Sequence, residues 1–397
     1  MTVSAALTTN EDKRGRAVRF VILLGIVSLF ADMTYEGSRS ITGPYLAVLG
    51  ASATAVGVVA GGGELLGYAL RLVSGRVSDR LRSYWAFTIA GYVIQMAAVP
   101  ALALAGSWQV ASLLIVLERV GKAIRNPAAN AMVAQASTEI GRGWGFGLHE
   151  ALDQVGALVG PLVVAAVLAL RGDYPLAFAV LLLPAVLTVA AVLAARLIYP
   201  KPQDLATKAA DVQSSGLPRV FWLYLGGAAL VAAGFADFSL MAFHFERQGV
   251  LDPILIPLFY AAAMGVSGVA SLIFGRLFDR VGVGVLVPLT IGSALFAPLA
   301  FFGGPALAFL GVVVWGIGMG VHESIMPAAV AAMVPSARIA SAYGLFNLVY
   351  GFAWFAGSAL IGVVYDLSIP TVVAVSIVLE LAAIPLFLRV RRLSSSA

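Results

Sequence analysis

Ionisable side chains stand inside long apolar runs of this sequence. They are Asp32, Glu36 and Arg39; Glu64 and Arg71; Glu118, Arg119, Lys122 and Arg125; His149, Glu150 and Asp153; and, further on, Asp237, His244, His322, Glu323 and Glu380. At the centre of a bilayer an ionisable group costs about 2.5 to 3.5 kcal/mol on insertion scales, so each needs a reason to be there. The chemistry open to such groups is proton exchange, ion pairing and recognition of a polar solute. Burial and a neighbouring cation act in opposite directions on a carboxylate, so a buried acid beside a movable cation can switch protonation state near neutral pH. Asp32 fits that role, with Glu36 as partner or alternate and Arg119 or Arg125 as the cation that modulates them.

Spacing organises these residues. Asp32, Glu36 and Arg39 fall at i, i+4 and i+7, as do Glu64, Tyr68 and Arg71, and again Glu118, Lys122 and Arg125. Each set shares one helix face, on which opposite charges can pair. Two readings are open: a proton and solute pathway, or pairs that only ease burial and lock helices together. On the pathway reading the residues are Asp32, Glu36, Arg39, Glu118, Arg119, Lys122, Arg125, Glu150, Asp153, Asp237, His322 and Glu323. Acids and bases nearly balance in the first half, which predicts neither a simple cationic nor a simple anionic solute.

The elements that must hold these residues are helices. The 397-residue chain is 60% hydrophobic and 11% charged, where soluble domains carry about 25% charged residues. Windows long enough to cross a hydrocarbon core of roughly 30 Å recur twelve times, at 17–48, 53–75, 84–105, 108–136, 143–170, 174–198, 218–246, 253–276, 283–303, 305–334, 339–366 and 369–390. These runs are too long and too continuously apolar for barrel strands, so the backbone must be satisfied within helices. The expected fold class is an all-α membrane protein of twelve transmembrane helices in two pseudo-symmetric six-helix bundles. Outside the spans, eighteen Lys and Arg lie in the N-terminal tail, the even-numbered loops and the C-terminal tail, against two, Arg171 and Arg247, in the odd-numbered loops. That asymmetry places both termini in the cytoplasm. Residues 1–16 read as a disordered cytoplasmic tail, 17–199 as the first bundle, 200–217 as a cytoplasmic linker, 218–392 as the second bundle and 393–397 as a short tail.

The two halves repeat. Phe30-Ala31-Asp32 matches Phe235-Ala236-Asp237, Gly75-Arg76-x-x-Asp79-Arg80 matches Gly275-Arg276-x-x-Asp279-Arg280, Pro127-Ala128-Ala129 matches Pro327-Ala328-Ala329, and Gly147 and Gly160 match Gly344 and Gly357. Order is preserved while the offset drifts slowly, as internal duplication with small loop deletions produces. Both halves have an even helix number and insert in the same orientation, the parallel-repeat layout tied to alternating access.

The paired loops with Gly75, Asp79 and Arg80 and with Gly275, Asp279 and Arg280 resemble the loop signature of the major facilitator superfamily. The resemblance implies a latch at the cytoplasmic rim, with the glycines allowing close helix approach. Gly147, Gly156, Gly160 and Pro161 in the fifth span are similar to the antiporter motif of proton-driven drug exporters, although its closing Gly-Gly pair is Val164-Ala165 here. By the same resemblance the third, sixth, ninth and twelfth spans act as outer support, from which Glu380 departs. Arg39 also aligns with His244, as a twin basic pair would.

The expected function is proton-coupled antiport, an efflux of a small organic or amphipathic solute by alternating access in the cell membrane, with a small-molecule solute and the lipid bilayer as partners. Proton symport of a small organic or anionic metabolite is the alternative, and a non-transporting receptor or lipid scramblase on the same scaffold is a third. The net charge of +5 follows the topology and calls for no nucleic acid. No cofactor is expected beyond the proton gradient, and the chain is expected to be a monomer. With no cysteine and three histidines, no metal centre is expected. An enzyme is not expected: His149-Glu150 and His322-Glu323 start like a zinc-protease motif, but Asp153 and Met326 stand where its second histidine belongs.

Overall fold

The structure, a computed structural model, describes the backbone of residues 3–81, 83–137, 142–200, 217–334 and 339–394, and their side chains except at 3–13, 72, 76, 79, 134, 137, 142–147, 279, 323, 327, 331, 339–341 and 394. The first half is built from α1 (Val3–Val48), α2 (Ala53–Leu81), α3 (Tyr84–Ala101), α4 (Trp108–Ser137), α5 (Arg142–Arg171), and α6 with α7 (Tyr174–Val180, Leu182–Ile198). The second is built from α8 with α9 (Arg219–Gly234, Phe238–Arg247), α10 (Leu255–Val281), α11 with α12 (Leu286–Ser293, Phe296–Phe302), α13 (Pro305–Met333), α14 (Ile339–Leu367), and α15 with α16 (Ile369–Ala382, Ile384–Ser394).

Among the described residues, eleven helices are long and apolar enough to cross a bilayer. The expected span outside this set is α4, 30 residues long, which carries Glu118, Arg119, Lys122 and Arg125 in its middle. Two expectations are corrected. Residues 3–16, expected as a disordered tail, continue α1; extending an existing helix adds one hydrogen bond per residue and needs no new nucleus, and Ala5, Ala6, Leu7 and Glu11 are good helix formers. The seventh expected span is not continuous: it breaks at Phe235–Asp237, where Asp237 becomes the N-cap of α9 and accepts a 2.9 Å hydrogen bond from the Ser239 backbone N–H. The expected linker lies outside the described residues over 201–216.

The duplication survives in three dimensions. α1 ends in a turn where Gly50 takes φ 83°, Ala51 N–H reaches the Leu46 carbonyl and Gly50 N–H reaches Ala47. α9 ends in the same way, with Gly249 at φ 62°, Val250 N–H on Phe245 and Gly249 N–H on Glu246. Both are Schellman ends, which need a residue at home in left-handed backbone. Neighbour relations repeat too: α1 packs on α5 and α2 on α4, as α8 packs on α14 and α10 on α13. Across the halves, α2 meets α14 and α5 meets α10, the exchange a two-fold axis imposes, and α1 meets α9.

Close approach within each half rests on glycine. A Cβ on Gly156 or Gly160 would overlap the Leu29 or Met33 carbonyl oxygen of α1, and one on Gly357 the Ala233 carbonyl of α8. The Gly156, Gly160 and Pro161 part of the sequence motif therefore seats α5 against the α1 turn that carries Asp32, and Pro161 sits inside an unbroken helix. Gly147's surroundings lie outside the described residues. Gly160→Val is expected to push α1 and α5 apart and lower stability by at least the 1 to 3 kcal/mol typical of overpacking. A melting temperature equal to wild type would contradict this packing.

Candidate functional site

The charged residues converge from four helices of the first half and reach into the second. On α1, Arg39 donates to Asp237 of α9 at 2.9 Å, and Glu36 accepts from the Tyr260 hydroxyl of α10. On α4, Arg119 donates to Glu64 of α2 at 2.7 Å, lies 3.4 Å from Glu118 and also bonds the Tyr35 hydroxyl. Gln95 of α3 then bridges: its amide donates to Glu118 at 2.9 Å and its carbonyl accepts from Arg125 Nε at 2.7 Å. Arg125 also donates to the Tyr92 hydroxyl at 3.1 Å and lies 3.9 Å from Asp32. The result is a ladder of alternating charge from Glu64 to Asp32. Arg39, Glu36, Glu118, Arg119, Arg125 and Asp237 are all buried.

The ladder separates two spaces. One, of about 500 Å³, is lined by Ser28, Asp32, Lys122, Arg125, Asn126, Asn130, His149, Glu150 and Asp153. It lies between the ladder and the end of the molecule that carries Arg14, Arg80 and Arg280, the basic end. The other, about 20 Å³, touches Tyr35, Arg39, Glu118, Arg119 and Ser239, room for a single water. Within the large cavity Lys122 Nζ sits 3.5 Å from the Tyr35 ring centroid, where ring and ammonium attract, His149 lies 3.5 Å from Asp153, and Glu150 accepts from Gln154 at 3.1 Å.

At the opposite end the halves are closed. Asp366 of α14 accepts from the Ala53 and Thr54 backbone N–H groups at 3.2 and 2.9 Å and from the Thr54 hydroxyl at 2.7 Å, capping the start of α2. Arg247 stands 3.7 Å from the same carboxylate, and the Tyr174 hydroxyl donates to Glu246 at 2.8 Å. Backbones touch beneath this latch: a Cβ on Gly43 would overlap the Ser239 carbonyl, and one on Gly57 the Ser358 carbonyl. Asp366→Ala is expected to open this end. Val56 is fully buried below the latch, so Val56→Cys should react slowly with a membrane-impermeant maleimide and several-fold faster once Asp366→Ala is added. Equal rates would remove the latch role.

Measured against the sequence expectations, Asp32, Glu36, Arg39, Glu118, Arg119, Lys122, Arg125, Glu150, Asp153 and Asp237 are brought together. Pairing is mostly between helices, not along them as the spacing suggested, because the charged faces point to where α1, α2, α3 and α4 converge. His322 stands apart: Tyr350 and His322 share a 2.9 Å hydrogen bond in an aromatic group with Phe235 and Trp354. Arg39 and His244 do not form a twin basic pair, since Arg39 is held by Asp237 and His244 by the Tyr365 hydroxyl at 2.9 Å. The Glu323, Asp79 and Asp279 side chains lie outside the described residues. Arg80 and Arg280 are exposed at helix ends. The glycines of the two loops do not enforce close approach: a Cβ on Gly75 would make ordinary contact with Pro127 at 3.4 Å, and one on Gly275 would meet nothing. Sequence reasoning missed Tyr35, Tyr92, Gln95 and Tyr260, and passed over Glu246 and Asp366 at span ends; Gln95, an uncharged polar residue deep in an apolar run, was the most visible signal.

Comparison with known proteins places this architecture. The model of the Major Facilitator Superfamily matches residues 23–393. An uncharacterised protein of Mycobacterium tuberculosis is 45% identical over 383 residues, covering 94% of this chain and 93% of its own length. An uncharacterised transporter of the same superfamily type from Methanocaldococcus jannaschii is 25% identical over 380 residues, covering 91% and 92%. Among solved structures, a point mutant of the nucleoside transporter NupG superposes with a TM-score of 0.76 at 18% identity, covering 93% of this chain and 100% of that one. A multi-pass helical chain with a duplicated neighbour pattern, a charged centre between its halves and this match along nearly its whole length belongs to the major facilitator superfamily of membrane transporters.

Proposed function

We propose that the chain is a proton-coupled antiporter that moves a small organic or amphipathic solute out of the cell by alternating access between two six-helix bundles. α4 is read as the twelfth span, its charges neutralised by the ladder, and the basic end is read as cytoplasmic. On that reading the cavity faces the cytoplasm while the Asp366 latch closes the outside. The observation that carries the proposal is Asp32, the one ladder carboxylate that also lines the large cavity, between Lys122 and Arg125. Proton and solute can then compete there: solute entry displaces the proton, and reprotonation outside expels the solute. The mix of acids, bases, Asn126 and Asn130 in the cavity suits a solute with several polar groups, and nucleosides belong in the first panel because a fold neighbour carries them.

The test is a substrate screen by thermal shift on purified protein, followed by flux of each hit into proteoliposomes at two external pH values. Antiport predicts accumulation driven by a proton gradient in the opposite direction. Accumulation with the proton would establish symport instead, and hits that bind without flux in either direction would support a receptor.

A further inference from the structure

We propose that Glu380 is a proton-binding site of the second half, set against the broken α8–α9 segment, and that it releases its proton when the two halves rearrange. Glu380 is on α15 near the middle of the 369–393 span and is fully buried. Neither carboxyl oxygen makes a well-formed hydrogen bond among the described residues; the Ser293 hydroxyl of α11 lies within range of the carboxyl but carries no charge to offset it. A carboxylate so placed needs a cation or a proton, since uncompensated charge in the bilayer interior is strongly penalised.

Among the described residues, no cation is in reach. α15 packs on α8, α11, α12, α14 and α16. α11 and α12 carry no ionisable residue. On α8, Arg219 is the first residue, at the end away from Glu380, and the Tyr224 hydroxyl donates to the Met326 carbonyl. On α14, Tyr343 lies towards the basic end, Tyr350 bonds His322, Tyr365 bonds His244 and Asp366 bonds Thr54. The arginines of α16, Arg389, Arg391 and Arg392, are about two to four turns along the helix. The proton is therefore the charge-neutralising ligand of this site.

Its link to conformation is the helix break. Gly234 is the last residue of α8; a Cβ there would sit 2.9 Å from Glu380 Cγ, and Ser376, one turn from Glu380, donates to the Gly234 carbonyl at 2.6 Å. Three residues on, the same break carries Asp237, which holds Arg39 of the other half. A rearrangement that parts Arg39 from Asp237 pulls on the segment that walls in Glu380. Breaks in transporter helices are where such movements are made. This second step rests on alternating access; the protonation of Glu380 does not.

Infrared spectra of the purified protein and of Glu380→Gln at neutral pH test the first part. A protonated-carboxyl C=O stretch present in wild type and lost in Glu380→Gln is expected, with the same melting temperature, because the amide fills the same space without charge. A carboxylate band lost in the variant in place of the C=O band, together with melting that sodium chloride raises only in wild type, would mean that a metal cation sits there and would overturn the proposal, as would a wild-type spectrum without the C=O band. For the second part, maleimide labelling of Val56→Cys should rise in wild type over the pH range in which the C=O band disappears, and stay low in Glu380→Gln. Identical pH profiles in the two backgrounds would show a proton that never leaves, which also overturns it. Neither readout needs a substrate, so a failure to observe coupled transport leaves both results interpretable.

Discussion

Asp32→Asn is expected to reduce gradient-driven solute accumulation in proteoliposomes to the level of protein-free liposomes while leaving solute-for-solute exchange largely intact. Asp32 lines the large cavity and lies 3.9 Å from Arg125, the last rung of a ladder that runs through Gln95 and Glu118 to Arg119 and Glu64. Asparagine keeps the shape and hydrogen-bonding capacity but cannot take up a proton, so the coupled step is lost and the path is not. Asp153→Asn should act more weakly, because the ion contact Asp153 makes within 4 Å is with His149 of its own helix, at 3.5 Å, whereas Asp32 lies 3.9 Å from Arg125. Wild-type accumulation by Asp32→Asn would remove this residue from coupling; loss of exchange as well would assign it to solute binding alone.

The second large effect belongs to the ion pair that ties the halves together. Asp237→Ala removes the partner of a buried Arg39 at 2.9 Å and the N-cap of α9 in one step. Stranding a buried charge costs about 3 to 5 kcal/mol, and loss of a cap adds about 1 kcal/mol. A fall in melting temperature larger than that of any single ladder substitution is expected. Asp237→Asn keeps a cap acceptor and loses the charge, so it should recover only the smaller part. Arg39→Ala combined with Asp237→Ala should cost less than the sum of the single changes, as coupled pairs do. Additive losses would mean that the two groups do not sense each other, and the contact between halves would need another explanation.

How far these features were legible in the sequence varies with their physical cause. Helix position follows from local composition, and eleven of the twelve expected spans were readable to within a few residues, the charged α4 being the one outside that set. The duplication was readable because it is a comparison of the chain with itself, and Gly160 with Gly357 kept the same task of seating one helix on another's carbonyls. The break after Gly234 was not readable, although Asp237 and Ser239 form a capping pattern, because Phe-Ala-Asp also occurs at Asp32, inside an unbroken α1. Partner choice was the least legible. Spacing at i and i+4 suggested pairs along each helix, whereas Arg39 and Arg119 find their acids on other helices, and only the packing of the bundle decides that. Asp366 escaped because an acid at the end of an apolar run looks like a solvated rim group; its work is done on the backbone of α2, which leaves no mark in composition.

In the proposed coupling, proton and solute exchange through the cavity at Asp32. The most direct measurement is a pH-sensitive dye trapped inside proteoliposomes while a screened solute is added outside, with no imposed gradient. Proton movement out of the vesicle as solute enters is predicted for wild type, in fixed ratio to solute flux, and none for Asp32→Asn. Protons entering with the solute, or an unchanged dye signal in Asp32→Asn, would contradict it.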